Sequence, residues 1–150
     1  MSFVARLRLL FVTVWVGSLW TIGYIVAPTL FSMLSDRVLA GTIAGRLFRI
    51  EAWISLACAL ALAGLLSLAS RELSPAQRKT SLILIIGMLA CSLIGYFGLS
   101  PLMTGLREAA GPGGVMASES RMQFGILHGI SSGLYLVQSL LGAWLIFRIR

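Results

Sequence analysis

Residues 9–35 read LLFVTVWVGSLWTIGYIVAPTLFSMLS, without a charged side chain from first to last. A bilayer crossing needs about 20 mostly apolar residues at about 1.5 Å each, so this run alone decides that the chain enters a membrane. Three further uncharged runs follow, at 52–70 just after Glu51, at 80–106, and at 122–147, the last holding one histidine. Backbone groups in hydrocarbon must be satisfied within the segment, so each run is expected to be a helix. The ten-residue alternation of a membrane β-barrel is absent. The expectation is an all-α, antiparallel four-helix integral membrane bundle, a single transmembrane domain over 1–150, with helices near 9–31, 36–70, 80–100 and 121–147.

Composition agrees. Of 150 residues, 58% are hydrophobic and 11% charged, against about 45–50% and about 25% in soluble domains. That excludes a soluble enzyme, a disordered tail and a secreted disulfide scaffold. The net charge of +7 comes from Lys and Arg at the ends of the apolar runs, where orienting charges belong. No basic run interleaves with aromatics, so no nucleic-acid partner is expected. The partner expected is the lipid bilayer, with a homo-oligomer or a membrane partner left open. The first apolar run is longer than the 7–15 residues, roughly, of a signal-peptide core and is read as a retained helix.

Seven cations (Arg6, Arg8, Arg71, Arg78, Lys79, Arg148, Arg150) fall on the side of the termini and five (Arg37, Arg46, Arg49, Arg107, Arg121) on the other. The bias places both termini in the cytoplasm of a bacterial inner (plasma) membrane. The short 71–79 connection makes helices 2 and 3 antiparallel neighbours. Residues 36–51 have no proline and recurrent apolar positions, so helix 2 is expected to carry an extended outer segment. Ser120 and Gln123 have the spacing of a capping box opening helix 4, after a Gly111-Pro-Gly-Gly114 loop. No internal repeat is evident.

Small residues recur at four-residue steps: Gly125, Gly129 and Gly133; Gly87, Cys91 and Gly95; Thr13, Gly17 and Thr21; Gly41 and Gly45. In lipid, close backbone approach supplies packing. These glycines are therefore expected inside the bundle, with a self-association surface as the other reading, and Gly129→Leu is expected to destabilise it.

Polar residues within apolar runs mark the candidate site. His128 lies about 12 Å along helix 4 from its outer end and continues at helical spacing to Ser131, Tyr135 and Gln138. It is expected to face the interior near Tyr24, Thr21, Arg49 or Glu51, either as a plain buried histidine or as a metal or haem ligand or proton relay. Tyr24 and Tyr96 precede Pro28 and Pro101 near the outer ends of helices 1 and 3. With Arg46, Arg49, Glu51 and His128 they lie at a similar outer depth. That depth defines either a shared cavity or an interfacial belt, and the belt accounts better for the tyrosines and Trp53 than for His128 and Glu51. Arg46 and Arg49 can bind lipid headgroups or clamp an anion. Glu51 can pair with an arginine of a neighbouring helix or serve as a carrier carboxylate. Met33, Met88, Met103, Met116 and Met122 form no Met-x-x-Met cluster, and Cys58 and Cys91 form no Cys-x-x-Cys pair, so packing is the default for both sets. There is no Gly-x-Ser-x-Gly, Walker loop, His-Glu-x-x-His or paired-carboxylate constellation, and no catalytic residue is assigned.

Three motifs line up with a known family: Val16-Gly-Ser-Leu-Trp20 followed by Val26-Ala-Pro-Thr-Leu-Phe31, then Ala40-Gly-Thr-Ile-Ala-Gly-Arg-Leu-Phe48, and Arg121-Met-Gln-Phe-Gly-Ile-Leu-His128-Gly-Ile-Ser131. Their order resembles the bacterial domain-of-unknown-function 4149 family, related to the eukaryotic transmembrane-protein-205 group, over residues 17–140. The resemblance implies a four-helix inner-membrane protein without an established reaction, with Gly17, Pro28, Phe31, Gly41, Gly45, Phe48 and His128 on motif positions. A more distant likeness, to four-helix copper-resistance and haem-pathway membrane proteins, would imply several membrane histidines where this chain has one. The expected function is non-enzymatic handling of a small molecule or lipid, or a partner-subunit role, with no cofactor. The alternative is a haem- or copper-binding redox or biosynthetic protein using His128.

Overall fold

The computed structural model describes residues 2–68 and 73–148. The expected end of helix 2 at Ser70 and the charges of Arg71 and Arg150 lie outside the described residues. Four helices are long and apolar enough to cross a membrane: α1 (Phe3–Met33), α2 (Arg37–Leu68), α3 (Pro75–Ala109) and α4 (Arg121–Arg148). They alternate in direction. Both termini share one end with the α2–α3 connection; the turn at 34–36 and the loop at 110–120 form the far end. α2 carries its extension unbroken, and α1 and α3 also run longer than the uncharged runs that announced them.

Polar side chains set the helix ends. Ser2 accepts from the amide of Ala5 at the start of α1. Asp36 accepts from the amides of Val38 and Leu39, and Arg37 closes the end of α1 by donating to the Phe31 carbonyl. The capping box falls on α3, where Ser74 and Gln77 exchange side-chain and backbone bonds ahead of Pro75. At α4 the Ser120–Gln123 box is not formed; the helix opens on the backbone bond from the Phe124 amide to the Ser120 carbonyl. Gly114, at φ 74°, lets the 110–114 loop fold against α2, where a Cβ would meet Val38 at 2.9 Å.

α1 and α3 share a device that compares them as a repeat. Each contains a wide π-helical stretch, Thr21–Val26 and Ile94–Leu99, just before its proline. Proline has no amide hydrogen, and its ring clashes with the carbonyl four residues earlier. The wide turn absorbs that misfit through bonds from Ala27 to the Ile22 carbonyl and from Ser100 to the Gly95 carbonyl. Both stretches carry the tripeptide Ile-Gly-Tyr, at 22–24 and 94–96. The chain thus does hold a short internal repeat, one per helical hairpin.

The main core sits in the half nearer the termini. Val12, Trp15, Val16, Cys58, Ala59, Leu62, Leu66, Leu84, Ile85, Met88 and Leu145 form one buried cluster drawn from all four helices. Arg8, counted by sequence among the surface charges, is buried at this end. The principal contacts between the two hairpins come from Phe3–Trp20 against α4 and from Pro75–Leu93 against α2. Beyond the π stretches the principal contacts run within each hairpin, α1 with α2 and α3 with α4. A small cluster of Met103, Val115 and Phe124 closes the second hairpin there. The hairpins therefore part toward the far end.

Three helical glycines do the close packing. A Cβ at Gly142 would meet Val16 at 3.0 Å and Met88 at 3.2 Å, and one at Gly23 would run into the Tyr135 ring. Gly87 meets Leu141 at 3.1 Å. Gly41 and Gly45 have only ordinary contacts, with Phe31 and Arg107, while Gly17, Gly95, Gly125, Gly129 and Gly133 have nothing within 4 Å. The expected close packing at these five is not formed within the chain. On α4 the reason is geometric: nine residues at about 100° each set Gly129 about 180° from Gln138, which points inward.

Candidate functional site

Where the hairpins part they leave a cavity of about 540 Å³, lined by all four helices. Its floor lies at the level where the core ends. There Glu51 and Gln138 are buried, at 4% and 2% exposure, as are Ser55 and Ser92. The floor is a hydrogen-bonded network branching at Ser55. The Trp15 indole donates to Ser55 Oγ at 2.7 Å, and Ser55 donates to Glu51 Oε1 at 2.7 Å. Gln138 Nε2 donates to Ser92 Oγ at 2.8 Å and reaches Ser55 Oγ at 3.4 Å. One residue from α1, two from α2 and one each from α3 and α4 thus meet at one depth. Such groups must pair with one another, because lipid offers no partner.

Above the floor stands a group of aromatic rings. Tyr135 donates to the Leu19 carbonyl at 2.6 Å, and Tyr24 donates to Ser139 Oγ at 2.9 Å. The Tyr135 ring meets Phe48 edge-on at 5.4 Å and Tyr24 at 6.1 Å between centroids. Gly23 makes room for Tyr135, which links the hairpins across the cavity. Tyr96 also lines the space and meets Trp53 edge-on.

Of the residues singled out by sequence, Glu51, Gln138, Tyr24, Tyr96, Arg49 and His128 line one cavity; Arg46 is exposed and does not. Glu51 forms no ion pair among the described residues; its partner is Ser55 on its own helix. His128 is on the cavity wall but exposed, stacked on Phe124 at 6.0 Å and 6° between planes. It bonds none of Tyr24, Thr21, Arg49 or Glu51. Ten residues at about 100° each turn His128 about 80° from Gln138, to the rim of the inward face. Met103 lines the cavity, while Met33, Met116 and Met122 are exposed elsewhere. No group of three His, Cys, Asp or Glu side chains suited to a metal occurs among the described residues.

Sequence reading missed Trp15, Ser55, Ser92 and Arg107. The Arg107 guanidinium sits over the Phe124 ring, 5.1 Å from its centroid, and reaches toward Gly45 on α2. Arg107 and Arg49 are the two cations on the cavity lining. The signal for Arg107 was its place six residues after Pro101, on the far turn of a helix that opens into the site.

A multi-pass helical membrane protein with a polar floor beneath an aromatic-lined cavity between its helices is the class that fold and site define. Residues 10–112 match the family described as a domain of unknown function (DUF4149), and the chain belongs to that family. The matched stretch spans all of α2 and α3 and α1 from Leu10 onward; α4, with Gln138, Tyr135 and His128, lies beyond it. No curated protein and no solved structure matches the chain.

Proposed function

We propose that this protein binds an amphipathic small molecule or lipid headgroup inside the membrane and handles it without covalent chemistry. The observation that carries the reading is the cavity itself: about 540 Å³, apolar and aromatic on its walls, with convergent polar groups on its floor. That is the usual composition and size of a small-molecule site. The cavity holds no paired carboxylates and no nucleophile hydrogen-bonded to a base with a third orienting group, which is the arrangement covalent chemistry asks for. The charge bias further supports termini in the cytoplasm of an inner membrane, so that the cavity faces the outer half of the bilayer. A reporter fused after Arg150 should then be active only in its cytoplasmic form; activity of the exported form would reverse the orientation.

Gly95 offers a clean test. It lines the cavity, and a Cβ there meets nothing within 4 Å. Gly95→Leu should fill space without disturbing the fold. Wild-type protein in nanodiscs should bind the neutral dye N-phenyl-1-naphthylamine saturably, one per chain, above empty nanodiscs. The variant should lose that binding at an unchanged melting temperature. Equal binding by both would remove the cavity from the account.

A further inference from the structure

The deepest titratable group on the cavity lining is an acid that forms no ion pair among the described residues. Glu51 is 4% exposed and spends one oxygen on Ser55 Oγ at 2.7 Å; it lines the cavity, and its second oxygen has no hydrogen-bond partner among the described residues. Beside it, Gln138 gives its amide hydrogens to Ser92 and Ser55, which leaves its carbonyl oxygen as an acceptor. The floor therefore offers unspent acceptors. Over it stand Phe48, Tyr135 and Tyr24, with neighbouring centroids 5.4 and 6.1 Å apart. Aromatic faces around a carboxylate attract a cation through the ring quadrupole and through charge.

We propose that the cavity takes an organic cation, an amine or quaternary ammonium bearing apolar substituents, with its charge against Glu51 and beside the aromatic row of Phe48, Tyr135 and Tyr24. This rests on the reading of the cavity as a ligand site. A buried carboxylate without a counter-ion carries a large desolvation cost, and a bound cation offsets it. The arginines on the lining do not fill that role. Arg107 lies on the Phe124 ring, Arg49 is exposed, and neither forms an ion pair with Glu51 among the described residues. An anion held by those two arginines would be indifferent to Glu51, which makes the two ligand chemistries separable. The cation has two possible sources: a free amphiphilic amine, or the ammonium headgroup of a bilayer lipid entering sideways between the hairpins.

The test uses the full chain in phosphatidylglycerol nanodiscs, with tetraphenylphosphonium as the cationic probe and N-phenyl-1-naphthylamine as the neutral one. Wild type should bind tetraphenylphosphonium saturably. Glu51→Gln, which keeps shape and hydrogen bonding, should weaken the cation by about tenfold or more relative to any change in the neutral dye. Phe48→Leu should weaken the cation about three- to tenfold more than it weakens the dye. Should Glu51→Gln fail to fold, Phe48→Leu carries the test alone. Cation binding unchanged in the folded variants overturns the proposal. Dye binding without cation binding also overturns it and leaves the broader cavity reading standing; loss of both probes from wild type defeats that reading first. Adding phosphatidylethanolamine separates the sources: displacement of the probe assigns a lipid headgroup, and no displacement assigns a free amine, each consistent with the cation site.

Discussion

Trp15→Ala should lower the unfolding free energy by about 3–5 kcal/mol, the largest single loss expected outside the cavity. The indole is fully buried at the centre of the cluster that joins all four helices. In lipid the helices gain little from excluding water, so contact among packed side chains supplies most of their association. Removing the ring leaves a void between the hairpins where their contact is concentrated. It also strips the donor from Ser55, whose hydroxyl organises the floor. Unfolding in mixed micelles of increasing dodecyl sulfate fraction reads the change directly. A loss below about 1 kcal/mol would mean that Trp15 does not hold the hairpins together.

Gly142→Leu should cost about 1–3 kcal/mol, whereas Gly129→Leu should lie within about 0.5 kcal/mol of wild type. Both place leucine on the same helix, so intrinsic propensity is equal. They differ in what the side chain meets: Val16 and Met88 at Gly142, open space at Gly129. The pair reverses the expectation from the glycine stripe alone. Equal melting temperatures for the two variants would show that α4 presents a different face to the bundle. A loss confined to Gly129→Leu would mean that the stripe packs against a second chain.

That pair shows how far the sequence is legible. The four crossings are plain, because charge-free runs of that length have one physical solution in a bilayer. The faces are harder. A Gly-x-x-x-Gly stripe gives the direction of a face but not its neighbour, and Gly129 and Gln138 cannot both point inward. Isolated Gly23 and Gly142 show no period, yet with Gly87 they carry the close contacts. The π stretches leave their trace in Pro28 and Pro101 and in the repeated Ile-Gly-Tyr, a signal too short to stand out before the structure aligns it.

The site divides the same way. Gln138 and Tyr24 are conspicuous because polar groups inside apolar runs need partners, and Arg49 and Glu51 because they stand at the entry of one. Ser55 and Ser92 are not, since serine in a membrane helix commonly bonds its own backbone; here Ser67 does so, bonding the Gly64 carbonyl. Trp15 reads as one more apolar residue until its indole is seen donating across to α2. Arg107 reads as an orienting charge until the second hairpin bends its guanidinium over Phe124.

The central claim is that the hairpins pack tightly toward the termini and open toward the far end. The two native cysteines report on it. Cys58 belongs to the buried cluster, while Cys91, on the neighbouring helix, lines the cavity. Purified protein treated with the small cationic reagent 2-aminoethyl methanethiosulfonate, then digested and weighed by mass spectrometry, gives the rate at each thiol. The account predicts modification of Cys91 with Cys58 untouched until the protein unfolds. Modification of Cys58 at the same rate as Cys91, or of Cys58 first, would contradict it.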